Sequence, residues 1–430
     1  MNFGLILTLV AFVFIAYALL SGKIPGSITC GVSVVVLWLF KVITGQEALA
    51  NFVSSSIVTM VAMMMITSAL MKTDILTNIA NLVRKFKGGT MILVIASMIV
   101  PFILCQFVGG VTAMITVIPL AIALAAEAGV APTLLVLPAS VGAQAGLMAL
   151  PIGNGAVMYM LKNQILSSLG ITDQAVGFWD LILGRMPGTI VVFLFVIFFG
   201  WKLLPKRELA DTSALANGGT AGLRKSTLSK GKQYLMYAIF IAIMVLLSIA
   251  RKIGVEPMFI AVAGSMLVAV LGYLNEREMF SSVNWSLIFF MSFMLAISTA
   301  LSNSGAGELL AGLLDPVYGT GNTFLAVAVT FLFCAILTQV MDNNGLINIL
   351  TPICALAAVK NGIPVVPIVI AIDASCLVSF STPMASPSSL MAYKLGGYSM
   401  KEMLKFNLPL IAISTIVSIL WIPLYAGMIG

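Results

Sequence analysis

Phe380-Ser381-Thr382-Pro383-Met384-Ala385-Ser386-Pro387-Ser388-Ser389 interrupts an apolar run from Pro364 to Tyr393. Hydroxyls and two prolines at that spacing can open a helix and free its backbone groups to hold an ion. As one helix, the run would be about 45 Å long at ~1.5 Å per residue. A bilayer core takes only about 20 residues. The polar stretch therefore falls near mid-membrane, where the prolines forbid a continuous helix. Unwound backbone at that depth must be buried in protein or line a wet cavity. Ser386 followed by Pro387 reads as the N-cap and first residue of a restarted half-helix. A simple proline kink, its serines bonded back to their own helix, is the blander alternative. The same device recurs at Leu150-Pro151-Ile152-Gly153-Asn154-Gly155, which argues against it.

Two more polar joins lie between apolar arms. One is Gln106-Phe107-Val108-Gly109-Gly110-Val111-Thr112 and the other is Asp342-Asn343-Asn344-Gly345. Each join and each break starts a half-helix whose free N–H groups favour a carboxylate or another oxyanion. The expected substrate ligands at the joins are Gly109, Gly110, Thr112, Asn343 and Asn344. At the breaks they are Asn154, Thr382, Pro383, Ser386 and Ser388. The reading expects no lysine or arginine at these depths, so a bound anion needs a co-bound cation. Carbonyls near Leu150 and Phe380 are natural sodium ligands, with Gln106, Pro151, Gly153 and Ser381 beside them. Asp342 and Asp373 lie deep in apolar sequence, and an intramembrane acid is a functional hypothesis by default. Bonding of Asp373 to Ser375 or to a packed helix is its structural alternative.

These residues need elements to carry them. The chain has 430 residues, 60% hydrophobic and 9% charged. Its mean hydropathy is +1.12. That composition predicts an all-α polytopic membrane protein. There is no histidine, which weakens any zinc, Ser-His or His-relay chemistry. No transition metal or organic cofactor is expected. The five cysteines form no CxxC pair and read as buried hydrophobes. Apolar spans are expected at 3–21, 25–43, 54–71, 181–203, 233–250, 255–274, 284–302 and 406–428. Thr73–Lys87 reads as an amphipathic interfacial helix.

The halves match in order. Gln106 falls on Gln339, Gly110 on Asn343 and Pro119 on Pro352 at an offset of 233. After a one-residue slip, Pro151 falls on Pro383 and Asn154 on Ser386. The expected organisation is therefore two repeats, 1–203 and 233–430, around a hydrophilic connector, 204–232. Each repeat has five transmembrane helices, one re-entrant hairpin (88–127 and 322–358) and one helix broken at the midplane (132–163 and 364–393). Each half then crosses an odd number of times, so the repeats are inverted in topology, as in secondary transporters.

Net charge +7 could suggest nucleic acid, but its distribution suggests membrane orientation instead. Of 22 basic residues, 16 fall on the connector side. The other 6 are Lys41, Lys162, Arg185, Arg251, Lys252 and Lys360. The positive-inside rule then puts the connector in the cytoplasm, with both termini outside the cytoplasmic membrane.

Gly22-Lys23-Ile24-Pro25, Gln46-Glu47-Ala48-Leu49, both hairpins, the Thr382–Ser388 break and Gly396-Gly397-Tyr398-Ser399 carry a resemblance over nearly the whole chain. The layout resembles the divalent anion/sodium symporter family of the ion transporter superfamily. The resemblance implies sodium-coupled carriage of di- or tricarboxylates or sulfate, by a homodimer whose transport domains move like elevators. Family members place Ser-Asn-Thr at each hairpin tip. Here Gly109-Gly110-Val111-Thr112 keeps only the threonine, and Asp342-Asn343-Asn344-Gly345 keeps an asparagine and adds an acid. The first break also lacks the family's Thr-Pro-Pro. A sodium/proton antiporter or arsenite-type carrier of the same superfamily, using Asp342 and Asp373, is the alternative. An intramembrane aspartyl protease is a third, but its Gly-x-Gly-Asp context is absent, since Asp373 follows Ile370-Ala371-Ile372.

Overall fold

The computed structural model describes residues 3–21, 23–81, 89–147, 149–150, 154–210, 226–339, 343–376, 378–382 and 385–429. Among these residues there is no strand. The first half opens with α1 (Phe3–Ser21), α2 (Gly26–Leu39), α3 (Gly45–Ala50), α4 (Ser55–Met71) and α5 (Ile75–Ala80). Next come a hairpin of α6 (Thr90–Leu104) and α7 (Gly110–Glu127), an interrupted helix of α8 (Thr133–Gly146) and α9 (Asn154–Ser168), and α10 (Asp180–Phe198). The second half repeats the succession. It opens with α11 (Lys230–Ile253), α12 (Pro257–Val270), α13 (Glu276–Ser281) and α14 (Trp285–Ser304), with short α15 (Ala306–Gly312) and α16 (Asp315–Tyr318) in the place of α5. A hairpin of α17 (Thr323–Leu337) and α18 (Asn343–Lys360), an interrupted helix of α19 (Val365–Cys376) and α20 (Pro387–Gly396), and α21 (Met400–Ile429) complete it.

Local chemistry repeats too. Thr44 caps α3 and Asn275 caps α13, each in a reciprocal capping box with Glu47 or Glu278 three residues on. Six helical segments among the described residues are long and apolar enough to cross a bilayer. Ile416, Leu420 and Leu424 form an exposed apolar stripe on α21, and Leu332, Phe333 and Ile336 another on α17. Such surfaces suit lipid rather than water. α6 and α7 fall within the stretch expected as the first hairpin, and α9 continues beyond the expected end to Ser168. Of the expected interfacial helix, Ile75–Ala80 is helical, and 82–88 lie outside the described residues. The second break is followed by a longer helix than expected, because α20 runs on until Gly397 takes a left-handed φ of 56°.

Packing sorts the helices into two groups. α1, α2 and α14 pack together, and α4 and α11 pack on α12. These make a frame. α6, α7, α8 and α20 pack together, as do α10, α17, α18, α19 and α21. These make an inner group, which meets the frame chiefly where α9 lies on α4 and α14. α8 is buried along its whole length and α19 at all but one position, Val366. A helix apolar on every side must be enclosed by others.

Small residues set how closely α8 lies to α6. A Cβ on Gly142 would come within 2.2 Å of the Met98 carbonyl oxygen, and one on Gly146 within 2.4 Å of that of Phe102. This is the small-xxx-small spacing that lets membrane helices touch backbone to backbone. Gly142→Ala must push α6 away and is expected to cost about 1–3 kcal/mol. A lowered melting temperature of the purified variant checks it.

The connector is anchored at both ends. Its start docks on the inner group: Thr133 Oγ1 donates to Pro205 O at 2.7 Å, and Arg207 donates to Gly397 O at 2.7 Å and to Glu402 at 2.9 Å. Its end docks on the frame at the α4–α5 corner. There Asp74 accepts from Lys230 at 2.9 Å and from the Ser226 N–H at 2.7 Å. The Lys230 ammonium, then the Ser226 N–H, hold the Asp74 carboxyl down at about 2.

Candidate ion and substrate site

One glutamine per half welds the hairpin tip to the following break. Gln106 Nε2 donates to Phe102 O at 2.9 Å, one turn back, and to Gly146 O at 2.8 Å at the end of α8. Its Oε1 accepts from the Leu150 N–H at 2.9 Å. Gln339 repeats this: Nε2 donates to Ala335 O at 2.9 Å and to Val378 O at 3.1 Å. Its Oε1 accepts from the Ser381 N–H at 3.3 Å and from the Ser381 hydroxyl. Both ends of each amide are engaged with the fold. Gln106, the Leu150 N–H and Ser381 thus take part in holding the shape of the breaks.

The second break is closely tied. Ser386 caps α20, accepting from the Ser389 N–H at 3.2 Å, and Pro387 follows as the first helical residue. Thr382 Oγ1 donates to Gln339 O at 3.0 Å. Asn343, the first residue of α18, donates to Ser379 Oγ at 3.1 Å and accepts from Thr338 Oγ1 at 2.5 Å.

Buried Gln144, on α8, joins the halves. Its Nε2 donates to Ser379 Oγ at 2.6 Å and to Cys376 O at 3.5 Å. Its Oε1 accepts from Ser388 Oγ at 3.4 Å. A Cβ on Gly110 would stand 3.4 Å from that of Ser388. Gly110, Ser388, Gln144, Ser379 and Asn343 therefore form one continuous line from the first tip to the second. Gly109 and Thr112 lie at its exposed edge. Pro151, Gly153, Asp342 and Pro383 lie outside the described residues, as do the side chains of Asn154 and Asn344.

The expectation that no basic side chain reaches this depth is wrong. Lys162, 0% exposed, places Nζ 2.6 Å from Asp373 Oδ1. Arg185, 3% exposed, stands 3.4 Å from Asp373 Oδ2. Its NH2 also donates to Ala145 O and Leu147 O, each at 2.8 Å. Asp373 is therefore neutralised by two protein cations, which corrects its assignment as a cation ligand or proton carrier. The physical reason is that a buried charge must be paired. Linear sequence places Lys162 and Arg185 near an outer surface, whereas the fold turns both inward. The cluster sets two basic side chains against one acid.

Phe380 O, also expected to bind sodium, accepts from buried Asn407 Nδ2 at 2.6 Å. Asn407 and Arg185 are counterparts: each lies two residues before a proline of its half's last helix, Pro409 or Pro187. Each donates to carbonyls of its own half's break. Sequence reading missed Gln144, Ser379, Lys162, Arg185 and Asn407. A comparison of Gly184-Arg185-Met186-Pro187 with Phe406-Asn407-Leu408-Pro409 could have found the last pair.

The fold resembles two solved transporters. It matches the YdaH transporter of Alcanivorax borkumensis with a TM-score of 0.66 and 17% identity, covering 91% of this chain and 89% of that one. It matches MtrF of Neisseria gonorrhoeae, described as an antimetabolite efflux pump, with a TM-score of 0.60 and 16% identity over 88% and 82%. Identities this low speak for the fold alone. An uncharacterized transporter of Synechocystis is 25% identical over 188 residues, 44% of this chain and 31% of that protein. Sodium/sulfate cotransporter 1 of Chlamydomonas reinhardtii is 25% identical over 143 residues, 33% and 16%. The chain thus spans less than a third of the length of either relative. The model of the citrate transporter family (CitMHS) matches residues 7–372, from α1 into α19. Matched over most of its length, the chain belongs to the citrate transporter family.

Proposed function

We propose that the chain couples sodium to the symport of a small di- or tricarboxylate, or a similar anion such as sulfate. The observation that carries this reading is the line from Gly110 to Asn343. It brings the N-terminal ends of α7, α18 and α20, from both halves, to one region. Peptide dipoles there favour an oxyanion. The sodium/sulfate cotransporter among the relatives supports the coupling ion.

The two repeats are inverted, their hairpins are re-entrant, and the inner group moves against the frame like an elevator. α6 and α17, 15 residues each, are about 22 Å long, short of a bilayer core of about 30 Å. A connector anchored on the inner group at one end and the frame at the other suits such movement. With Lys162 and Arg185 removed from the outer count, the positive-inside argument for a cytoplasmic connector is stronger. The active form in the cytoplasmic membrane is a homodimer. The antiporter alternative loses support, because Asp373 is held by two cations.

Uptake of labelled citrate, succinate and sulfate into proteoliposomes, with and without an inward sodium gradient, tests this. We expect a sodium gradient to raise initial uptake of at least one of the three severalfold over potassium. Uptake of none of them, or uptake indifferent to every cation gradient, sinks the reading.

A further inference from the structure

Among the described residues, the two breaks share a glutamine clamp and differ in the charge of the side chain that the last helix of each half sends to them. Gln106 and Gln339 make matching clamps at the two tips. At the first break, the donor from the last helix is the guanidinium of Arg185, bonded to Ala145 O and Leu147 O. At the second, it is the neutral amide of Asn407, bonded to Phe380 O. We propose that Arg185 is a built-in replacement for a cation at the first break, and that the transported cation binds only at the second, with Asn407 Oδ1 among its ligands.

Three observations carry this. First, the end of α8 presents the negative pole of a helix, the place a cation favours. Arg185 fills that role permanently, because its NH2 spans the two carbonyls a small cation would use. Asp373 does not cancel this, since its closer partner is Lys162, at 2.6 Å against 3.4 Å for Arg185.

Second, Asn407 is completely buried, and its Oδ1 has no hydrogen-bond partner among the described residues. The amide's orientation is not arbitrary: exchanging its two ends would set two acceptors, Oδ1 and Phe380 O, against each other. A buried acceptor left without a donor carries a desolvation cost, and a hard cation, which takes oxygen ligands, relieves it.

Third, the counterpart of Lys162 at an offset of 232 is Lys394. It is exposed at the end of α20 and not buried in the core. Lys394 therefore does not play at the second break the role that Lys162 plays in the first half.

The inference deepens the sodium-coupled reading above, but its test needs no anion. The probe is radioactive sodium bound to the purified full-length chain, against choline as control. One ion per chain is expected, and two would overturn the proposal, as would none. Asn407→Ala should weaken sodium binding at least tenfold while the protein still elutes as the wild type does. Unchanged affinity in that variant also overturns the proposal. Arg185→Asn, which makes the first break resemble the second, should bind two ions; one ion in a folded Arg185→Asn counts against it. If that variant does not fold, wild-type stoichiometry and Asn407→Ala decide. Binding of one sodium ion without uptake of any tested anion would leave this inference standing while the substrate reading fails.

Discussion

Asp373→Asn is expected to be the most damaging conservative substitution in the inner group. It removes a carboxylate that faces two buried basic side chains, Lys162 and Arg185. Breaking a buried pair by deleting one partner costs about 3–5 kcal/mol, because the remaining charge stays out of water without compensation. Folded proteins keep only about 5–15 kcal/mol in hand, so the variant should melt many degrees lower or fail to accumulate. The surrounding helices make the effect broad. Lys162 lies on α9, Arg185 on α10 and Asp373 on α19, so one ion cluster ties the break of the first half to the second half.

The double variant Lys162→Met, Asp373→Asn separates charge imbalance from loss of shape. It deletes one charge of each sign and leaves the net charge of the cluster unchanged. Arg185 keeps its two carbonyl partners at 2.8 Å. The double variant should therefore recover most of the stability lost by Asp373→Asn alone, a coupling readable from a double-mutant cycle. Thermal unfolding followed by size-exclusion chromatography measures all four proteins of the cycle: wild type, Lys162→Met, Asp373→Asn and the double variant. If Asp373→Asn melts with the wild type, the cluster is not the brace described.

The sequence discloses some of this site readily and hides the rest for identifiable reasons. The breaks are legible because Pro387 and its serines violate an otherwise apolar run, and a rule broken locally marks a special place. The hairpin tips are legible because Gln106 and Gln339 recur at a fixed offset. Their work as clamps is not, since a glutamine in an apolar run reads equally well as an ion ligand. Lys162 is hidden by a one-dimensional argument: distance along the chain from Asn154 suggests the membrane surface. Only the packing of α9 against the frame, and of α10 against α19, shows that this depth is enclosed. Asp373 misleads in the same way, because its partners lie 211 and 188 residues away and share no motif with it. Gln144 is concealed by its neighbours, as Ala143, Ala145 and Gly146 make that stretch look like plain packing.

Gln144→Leu is expected to lower transport by about two orders of magnitude while leaving the protein folded. The side chain makes its three described bonds entirely across the two halves: to Ser379 Oγ, Cys376 O and Ser388 Oγ. Leucine fills nearly the same volume, and the partners keep other bonds. Ser379 still accepts from Asn343, and Ser388 still pairs with Ser386 at 3.1 Å. The stability cost should therefore be near that of a hydrogen bond or two, about 1–2 kcal/mol. Function depends on a narrower tolerance. The start of α20 and the tip of the second hairpin are set against each other through this amide. A displacement of about 1 Å at a binding centre can cost a hundredfold in rate. Gln144→Glu keeps the shape but replaces a neutral donor with a carboxylate, so it should also repel an anionic substrate. Initial uptake rates and melting temperatures of wild type, Gln144→Leu and Gln144→Glu in the same vesicles distinguish the cases. Near-normal uptake by the leucine variant would place the substrate elsewhere. A fall in melting temperature matching the fall in uptake would make Gln144 a packing residue only.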